Sequence, residues 1–271
     1  MQIIHGIKDL TYLDWAKARH SSGTAGSFLK AFENRRGRKI YYKLSNYDPV
    51  HGITGHECVN ELIADRLLTK MGIPHLSYRL IHAIVLIRGK ETETYLCSSE
   101  DFKQPGESKI ALDAFYEMEA YPSESPYDFC VRMGFGEYIF RMLAFDFLIL
   151  NRDRHGANIE ILKNKELREI RPAPLFDHGL SLLFSARSGE FDKCDPLDDK
   201  PVQCFVGSDS SYENLKLIPE ESRIRLPEFN EELKDYLFSD ISPAMNEKWI
   251  NAVWNFLKTR ADIYENFCDK K

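Results

Sequence analysis

The first hundred residues alternate between short apolar stretches and polar turns, which is typical of a strand-rich unit. Residues 39–44 carry β-branched and aromatic side chains and predict a strand. Two more strands are predicted at residues 78–87 and 93–98, on either side of the turn signal at residues 88–90. Together these segments indicate a small lobe built mainly of strands.

One helix is predicted between the first of these strands and the other two. Apolar residues recur at helical spacing over residues 59–71. Thr54 and Glu57 have the spacing of a capping box, so we expect the helix to begin at Thr54. Gly72, followed by Pro74, predicts its end.

The second half of the chain has mostly helical periodicity. Apolar stripes predict helices at residues 127–133, 137–150, 231–238 and 246–264. Short strands are predicted at residues 159–162 and 173–176. Residues 121–126, which are rich in Pro and Ser, are the best candidate for a linker.

These elements predict an α+β fold with two lobes. The N-lobe would be small and β-rich, at residues 1–105, and the C-lobe larger and helical, at residues 106–271. Binding sites often lie in the cleft between two such lobes. The chain has 271 residues, of which 43% are hydrophobic, and this is enough to bury a core of that size.

The composition argues against several classes of protein. A net charge of -6 disfavours nonspecific binding to nucleic acid, which depends on Lys and Arg. The six cysteines are irregularly spaced without a CxxC pair, which indicates free thiols in a reducing cytosol. The sequence starts without the features of a signal peptide, and no apolar run reaches membrane-spanning length. We therefore expect a cytoplasmic protein with no membrane and no direct nucleic-acid partner.

The strongest chemical pattern begins in the segment LILNRDRHGANIE, where charged residues follow the end of a predicted buried helix. Asp153 is followed five residues later by Asn158, and Asp177 comes nineteen residues after that, two residues before Gly179. This order is that of a kinase active site. Asp153 would orient or deprotonate the attacking hydroxyl. Asn158 and Asp177 would offer Mg²⁺ the hard oxygen ligands that it prefers.

The N-lobe supplies the remaining parts of a phosphate-transfer site in the expected order. Lys43 lies on the first predicted strand, where a lysine could reach nucleotide phosphates. A glutamate of the following helix should hold that lysine, and we favour Glu61 because Glu57 is assigned to the capping box. A loop of small residues at 21–27, with Gly23 and Gly26, precedes the lysine strand and could cradle phosphate oxygens.

Each of these features alone has an ordinary structural interpretation, such as a solvated strand lysine, a surface glutamate or a simple turn. Asp146 is interpreted as a structural hydrogen-bonding or solvated group, and His155 and His178 as residues that hold their loops. The segment starting at Asn151 resembles half of a calcium loop, but position twelve is Leu162 instead of an acid, which excludes that site. The order of the features favours the kinase interpretation.

Several segments of the chain also resemble a known family, the HipA-like kinases, which correspond to the kinase domain of bacterial HipA toxins. The resemblance is carried by SSGTAGSFLKA at 21–31, YYKLSNYD at 41–48, GHECVNELIADRLLTKMGIPH at 55–75, NRDRHGANIEIL at 151–162 and APLFDHGLSLLF at 173–184. It implies a two-lobed protein-kinase-like fold, distantly similar to phosphatidylinositol 3/4-kinases. It also implies phosphorylation of Ser or Thr on proteins, with ATP and Mg²⁺.

The resemblance gives roles to individual residues. It makes Asp153 the catalytic aspartate, Asn158 and Asp177 the Mg²⁺ ligands, and Lys43 with Glu61 the ATP-binding pair. It further implies that the hinge between the lobes lies near residues 96–101, where backbone groups around Cys97 and Ser99 would meet adenine. Members of the family phosphorylate a serine in their own small-residue loop, for which Ser22, Thr24 and Ser27 are the candidates here.

The resemblance also implies partners. Proteins of the family modify protein targets, which include aminoacyl-tRNA synthetases, and often act with a DNA-binding antitoxin, HipB. The small-residue loop here begins about twenty residues into the chain, so we expect a short stand-alone member without the N-terminal subdomain of the long proteins. This departure puts the usual contact with a HipB-like antitoxin in question.

Two other functions use the same phosphate-binding residues. One is a small-molecule or lipid kinase, because the fold does not determine the acceptor. The other is a pseudokinase that binds nucleotide as a sensor without turnover. Filled positions throughout the motif argue against the pseudokinase.

Overall fold

The computed structural model of the chain describes residues 2–19, 25–184, 186 and 195–269. The N-lobe is built on a six-stranded sheet with the strand order β1-β7-β8-β4-β3-β2. Its strands are β1 (Ile3–Asp9), β2 (Ala16–Arg19), β3 (Ala25–Arg35), β4 (Arg38–Lys43), β7 (Arg79–Ile87) and β8 (Lys90–Glu100). Only the pair of β1 and β7 is parallel among these strands. A small hairpin of β5 (Tyr47–Asp48) and β6 (Gly52–Ile53) follows β4.

The helix α1 (Glu57–Met71) packs on the sheet, and most of its residues are buried. It shares one large hydrophobic core with the C-lobe, to which Leu62, Leu67 and Phe145 belong. A second, smaller core around Leu44 and Leu96 lies within the N-lobe. The helix α1 is therefore the element through which the sheet is joined to the rest of the molecule.

The predicted start of α1 is wrong. The helix begins at Glu57 with His56 as its N-cap, and no side chain caps it. The hairpin of β5 and β6 brings Asn46 to this point, where its backbone N–H donates to the Glu57 carboxylate at 3.0 Å and its amide donates to the Thr54 hydroxyl at 2.9 Å. The Thr54 and Glu57 side chains therefore accept hydrogen bonds from Asn46 instead of forming a capping box. The predicted end is correct, because Gly72 adopts the left-handed conformation with φ 65°.

The C-lobe combines helices with a three-stranded sheet in the order β12-β11-β9. Its strands are β9 (Glu107–Ala111), β10 (Asp153–Arg154), β11 (Glu160–Asn164), β12 (Glu169–Pro172) and β13 (Gln203–Cys204), of which β10 and β13 form a separate pair. Its helices are α2 (Leu112–Glu119), α3 (Pro126–Arg132), α4 (Gly136–Ile149), α5 (Ser211–Leu215), α6 (Glu231–Phe238) and α7 (Glu247–Asp269). Short 3₁₀ turns span Gly156–Asn158 and Glu220–Ser222.

The four predicted C-lobe helices correspond to α3, α4, α6 and α7. The strand predicted at residues 173–176 is wrong, because the strand lies at β12 and Leu175 makes only an isolated bridge to His75. The strands β1, β2 and β9 and the helix α2 were not predicted. Cysteines in the described ranges are free thiols. Over those same ranges, no helix is both long and apolar enough to cross a membrane.

Candidate active site

A cleft of about 530 Å³ lies between the two lobes. Strands β3, β4 and β8 form its N-lobe wall, and the C-lobe contributes the start of β11 and the residues before it. The residues that line this cleft include Lys30, Tyr41, Lys43, Tyr78, Cys97, Ser99, Phe102, Lys109, Asn158, Glu160, Phe176 and Asp177. Five predicted site residues thus share one cavity, namely Lys43, Cys97, Ser99, Asn158 and Asp177, whereas Asp153 and Glu61 are not among its lining residues.

Lys43 lies at the end of β4, and only 8% of the residue is exposed. Its ammonium group donates to Glu61 Oε1 at 2.9 Å and to Asp177 Oδ1 at 2.5 Å. Burial alone would lower the pKa of Lys43, but the Asp177 and Glu61 carboxylates outweigh it and hold that pKa well above its usual value. Lys43 is therefore charged, and it joins the N-lobe helix to the C-lobe loop that carries Asp177.

The loop around Asp177 packs closely against α1. The backbone N–H of His178 donates to Glu61 Oε2 at 2.8 Å, so Glu61 holds both Lys43 and this loop. A Cβ added to Gly179 would lie 3.1 Å from Glu57 Cβ and 3.2 Å from Glu61 Oε1. This close approach explains why a glycine follows the aspartate by two residues in the motif.

Asp177 carries a full negative charge in this setting. Burial would raise the pKa of Asp177, but Lys43 and Lys30 hold it well below its ordinary value. The backbone of Asp177 has φ 57°, and its N–H donates to the buried Tyr78 hydroxyl at 3.2 Å. The side chain is thus fixed in the left-handed turn with its carboxylate directed at the lysines.

The segment that carries Asp153 follows α4 directly. Leu150 ends the helix in the left-handed conformation with φ 48°, and the chain then turns towards the cleft. Asn158 Nδ2 donates to the Asp153 carbonyl oxygen at 2.7 Å and lies 3.3 Å from Asp153 Oδ2. Asp153 has a side chain that is 29% exposed and so remains open to a reactant.

Arg154 anchors this loop from behind. Its buried guanidinium pairs with Asp146, with Nε 2.7 Å from Oδ2 and Nη2 3.0 Å from Oδ1. Its Nη1 donates to the carbonyl oxygens of Asn158 and Phe176. One side chain therefore ties the Asp153 loop to the Asp177 loop. Asp146 has the predicted structural role, whereas Arg154 was not singled out because its spacing resembles that of an ordinary loop charge.

The residues present fit a Mg²⁺ ion of the kinase type. Asn158 Oδ1 is buried and, among the described residues, receives no hydrogen bond, so an oxygen ligand without a partner lies in the same cleft as Asp177. A kinase-type Mg²⁺ needs an amide oxygen, a carboxylate and nucleotide phosphates instead of a cage of protein groups. In the described part of the chain, no group of three or more His, Cys, Asp or Glu side chains is arranged so that it could hold a metal ion.

Cys97 and Ser99 both line the cleft from β8. Cys97 is buried, and its thiol lies 3.8 Å from the Lys43 carbonyl oxygen, to which Cys58 also donates at 3.1 Å. The chain crosses between the lobes after Glu100, so the predicted hinge overlaps the end of β8. Both side chains are at the cleft, while their assigned contact with adenine stays a prediction.

Part of the small-residue loop lies outside the described residues. Ser22, Gly23 and Thr24 belong to that part, and Gly26 and Ser27 fall within β3, of which only the backbone is described there. The phosphate-binding and autophosphorylation roles assigned to them stay predictions.

Lys30 is a site residue that the sequence reasoning missed. It pairs in register with Lys43 across the hairpin of β3 and β4, and its ammonium group lies 3.8 Å from Asp177 Oδ2. The cleft therefore carries two cations at one end. The number of residues between Lys30 and the turn at Gly37 could have identified it, because in a hairpin this number determines which residue of β4 lies opposite.

The connection between α1 and β7 pairs through its backbone with Leu175, just before Asp177, and the His75 side chain holds this connection to α1. The imidazole lies with Nε2 3.0 Å from Asp65 Oδ1 and Nδ1 2.6 Å from the Ile73 carbonyl oxygen. Two acceptors on two ring nitrogens favour the doubly protonated ring. Burial lowers the pKa of His75, but the hydrogen bonds to Asp65 and Ile73 outweigh it and raise that pKa above its ordinary value.

His75→Gln is expected to destabilise the protein by about 1.5–3 kcal/mol at pH 5.5, the range for hydrogen bonds to charged groups. A raised pKa gives stability that is present below the unfolded-state pKa of about 6.5 and is lost as pH rises through the folded-state value. The difference in unfolding free energy between wild type and variant should therefore shrink by pH 8.5. Urea denaturation at both pH values measures it, and a difference that grows with pH would contradict the charged-ring assignment.

No protein-family model and no curated protein matches this chain in sequence. Solved structures do match it. The proinflammatory kinase CtkA of Helicobacter pylori aligns over 97% of both chains, with a TM-score of 0.65 and 14% identity. HipA of the Shewanella oneidensis MR-1 toxin–antitoxin system, in a complex with HipB and operator DNA, aligns over 97% of this chain and 69% of its own, with a TM-score of 0.52 and 15% identity. The chain therefore has the two-lobed, HipA-like kinase fold, as predicted.

Proposed function

We propose that this protein is an ATP- and Mg²⁺-dependent kinase of HipA-like type that phosphorylates Ser or Thr on proteins. The observation that carries the proposal is the position of Lys43, bonded to Glu61 and to Asp177 at the same time. Kinases require this lysine–glutamate pair beside a metal-binding aspartate. The unpartnered Asn158 Oδ1 in the same cleft supports it.

Lys43 and Lys30 would bind the phosphates of the nucleotide. Both ammonium groups face Asp177, and Lys43 is kept in place by Glu61, so little side-chain ordering remains when phosphates enter. Asn158 and Asp177 would hold Mg²⁺, which supplies charge neutralisation at the transferred phosphoryl group. The two lysines, both beside Asp177, would add positive charge for the same phosphates.

Asp153 would orient the acceptor hydroxyl and receive its proton. Its carboxylate is partly exposed, while the amide of Asn158 holds its backbone carbonyl oxygen. The Arg154–Asp146 pair beneath keeps the loop rigid. Proton transfer to a group positioned in this way typically contributes about 10²–10⁴-fold to a rate.

The likeness of the fold to two proteins, one named a kinase and the other a toxin, supports phosphate transfer, and the Ser or Thr acceptor on a protein is proposed from the resemblance of the sequence motifs to the HipA-like kinases. A small-molecule or lipid acceptor remains the alternative, because the same residues serve any phosphate transfer. The HipA structure holds HipB, which supports a HipB-like antitoxin as a partner to be sought. A cytoplasmic location is proposed from the free thiols.

Phosphate transfer from labelled ATP-Mg²⁺ tests the proposal. The protein is incubated with a dialysed lysate and, separately, with a protein-free metabolite and lipid extract. Label on Ser or Thr of a lysate protein supports the proposed function, and label in the extract alone would assign a small acceptor instead. Tight ATP binding by calorimetry without any transfer would leave only a nucleotide sensor.

Autophosphorylation in the small-residue loop is part of the proposal. After incubation with ATP-Mg²⁺, intact-mass analysis is expected to show an added phosphate, and peptide mapping should locate it between residues 21 and 30. Ser22, Thr24 and Ser27 are the candidate acceptors. If the mass stayed unchanged under conditions where a lysate protein becomes labelled, the autophosphorylation proposal would be wrong. The proposed kinase function would not be affected.

A further inference from the structure

Glu160 lies in the cleft but has no part in the chemistry above. It is the first residue of β11, two residues after Asn158. Ile159 between them is extended, with φ -128° and ψ 112°, and its side chain is fully buried. Asn158 and Glu160 therefore both face the cleft, and two residues of extended chain separate them by about 6.6 Å.

The carboxylate of Glu160 contains an acceptor without a donor. Its Oε2 is buried and accepts no hydrogen bond from any residue in the described ranges, although Lys109 Nζ forms a longer ion pair with it at 3.7 Å. Lys109 lies closer to Asp101, with Nζ 2.7 Å from Oδ1, and 4.0 Å from the centre of the Phe102 ring, so Glu160 is the more distant of its two carboxylates. A buried acceptor of this kind is costly unless a ligand supplies its donor.

The two ends of the cleft differ in chemistry. Lys30, Lys43 and Asp177 give one end the charges that suit phosphates and metal. At the other end, where the chain crosses between the lobes, the rings of Phe102 and Phe176 lie with centroids 5.7 Å apart and offer an aromatic surface to a base. Glu160 lies near the Phe102 ring, because Lys109 Nζ is 3.7 Å from Glu160 Oε2 and 4.0 Å from the centre of that ring.

We propose that Glu160 binds the sugar of the nucleotide by accepting a hydrogen bond from a ribose hydroxyl. Carboxylates are the usual partners of ribose hydroxyls in nucleotide sites, and a hydroxyl is a donor that the orphaned Oε2 lacks. The inference rests on the proposed function, since it assumes that a nucleotide occupies the cleft. It makes Glu160 a residue that distinguishes ribonucleotides from deoxynucleotides.

Calorimetry of the Mg²⁺ complexes of ATP, 2′-deoxy-ATP, 3′-deoxy-ATP and ITP tests this, with wild type, Glu160→Ala and Glu160→Gln. Glu169→Ala, at an exposed position on β12 of the same sheet, is the matched control. Wild type and the control should bind at least one deoxy analogue roughly tenfold or more weakly than ATP, the loss expected for a hydrogen bond to a charged group. Glu160→Ala should bind ATP and that analogue alike, and Glu160→Gln should fall between.

The nucleotide affinities distinguish a failure of the ribose assignment from a failure of the proposed kinase function. Equal binding of all three adenine nucleotides by wild type, or an unchanged ATP preference in both Glu160 variants, would overturn the sugar assignment while ATP binding itself stands. A Glu160-dependent preference for ATP over ITP, with no dependence on the hydroxyls, would also overturn it and assign Glu160 to the base. If wild type binds none of the four nucleotides, the proposed kinase function fails and the inference fails with it.

Discussion

Asp153→Asn is expected to lower the rate of phosphate transfer by about 10²–10⁴-fold, the usual contribution of a positioned proton acceptor. The substitution preserves the size of the side chain, and the loop around it is held by the Asn158 amide and by the Arg154–Asp146 pair. ATP affinity should therefore change little, because Lys43 and Asp177 are untouched. Single-turnover transfer and calorimetric ATP binding measure the two effects separately.

Asp262→Asn is the matched control for this experiment, since Asp262 is exposed on α7 in the C-lobe. That variant should transfer phosphate at the wild-type rate. If Asp153→Asn did the same, Asp153 would not be the residue that faces the acceptor hydroxyl. A loss of ATP binding in Asp153→Asn would show instead that the loop no longer holds its shape.

The components of the site could be predicted from sequence because phosphate chemistry demands particular residue types in a fixed order. Lys43, Glu61 and Asp177 were each ambiguous alone, yet the fold brings the Glu61 and Asp177 carboxylates each within 3 Å of the Lys43 ammonium group. The reason given for choosing Glu61 over Glu57 was wrong in detail. Glu57 does not cap the helix α1. Its carboxylate instead accepts a hydrogen bond from the backbone N–H of Asn46, so Glu57 still has a partner other than Lys43.

What the sequence could not show depends on strand register and burial. Lys30 reaches Asp177 only because the β3–β4 hairpin pairs it with Lys43. From sequence alone, Arg154 resembles a solvated loop residue. In the structure its guanidinium is buried and bonded to Asp146 and to two backbone carbonyl oxygens. From sequence, Glu160 is an ordinary strand residue, and only the structure shows that its buried Oε2 accepts no hydrogen bond while Lys109 lies closer to Asp101. These properties arise from contacts between distant segments, which spacing along the chain does not encode.

Lys43→Met is expected to destabilise the folded protein by about 3–5 kcal/mol, the range for removing one member of a buried ion pair. The reason is that Glu61 is fully buried and Asp177 lies beside it, so two carboxylates would lose their shared cation. Lys30, at 3.8 Å from Asp177, compensates only one of them. Urea denaturation at pH 7.5 measures the loss, with Lys39→Met as the control, because Lys39 is a partly buried lysine of the same strand.

A second substitution isolates the electrostatic cause of this loss. In Lys43→Met/Glu61→Gln a neutral amide replaces one of the two carboxylates that repel each other, so part of the lost stability should return. Lowering the pH to 5 should have a similar effect on Lys43→Met alone, because burial raises the pKa of Glu61 and protonation then removes its charge. A Lys43→Met variant as stable as Lys39→Met, or one whose stability does not respond to Glu61→Gln, would mean that Lys43 is not the cation that allows two carboxylates to lie together under the cleft.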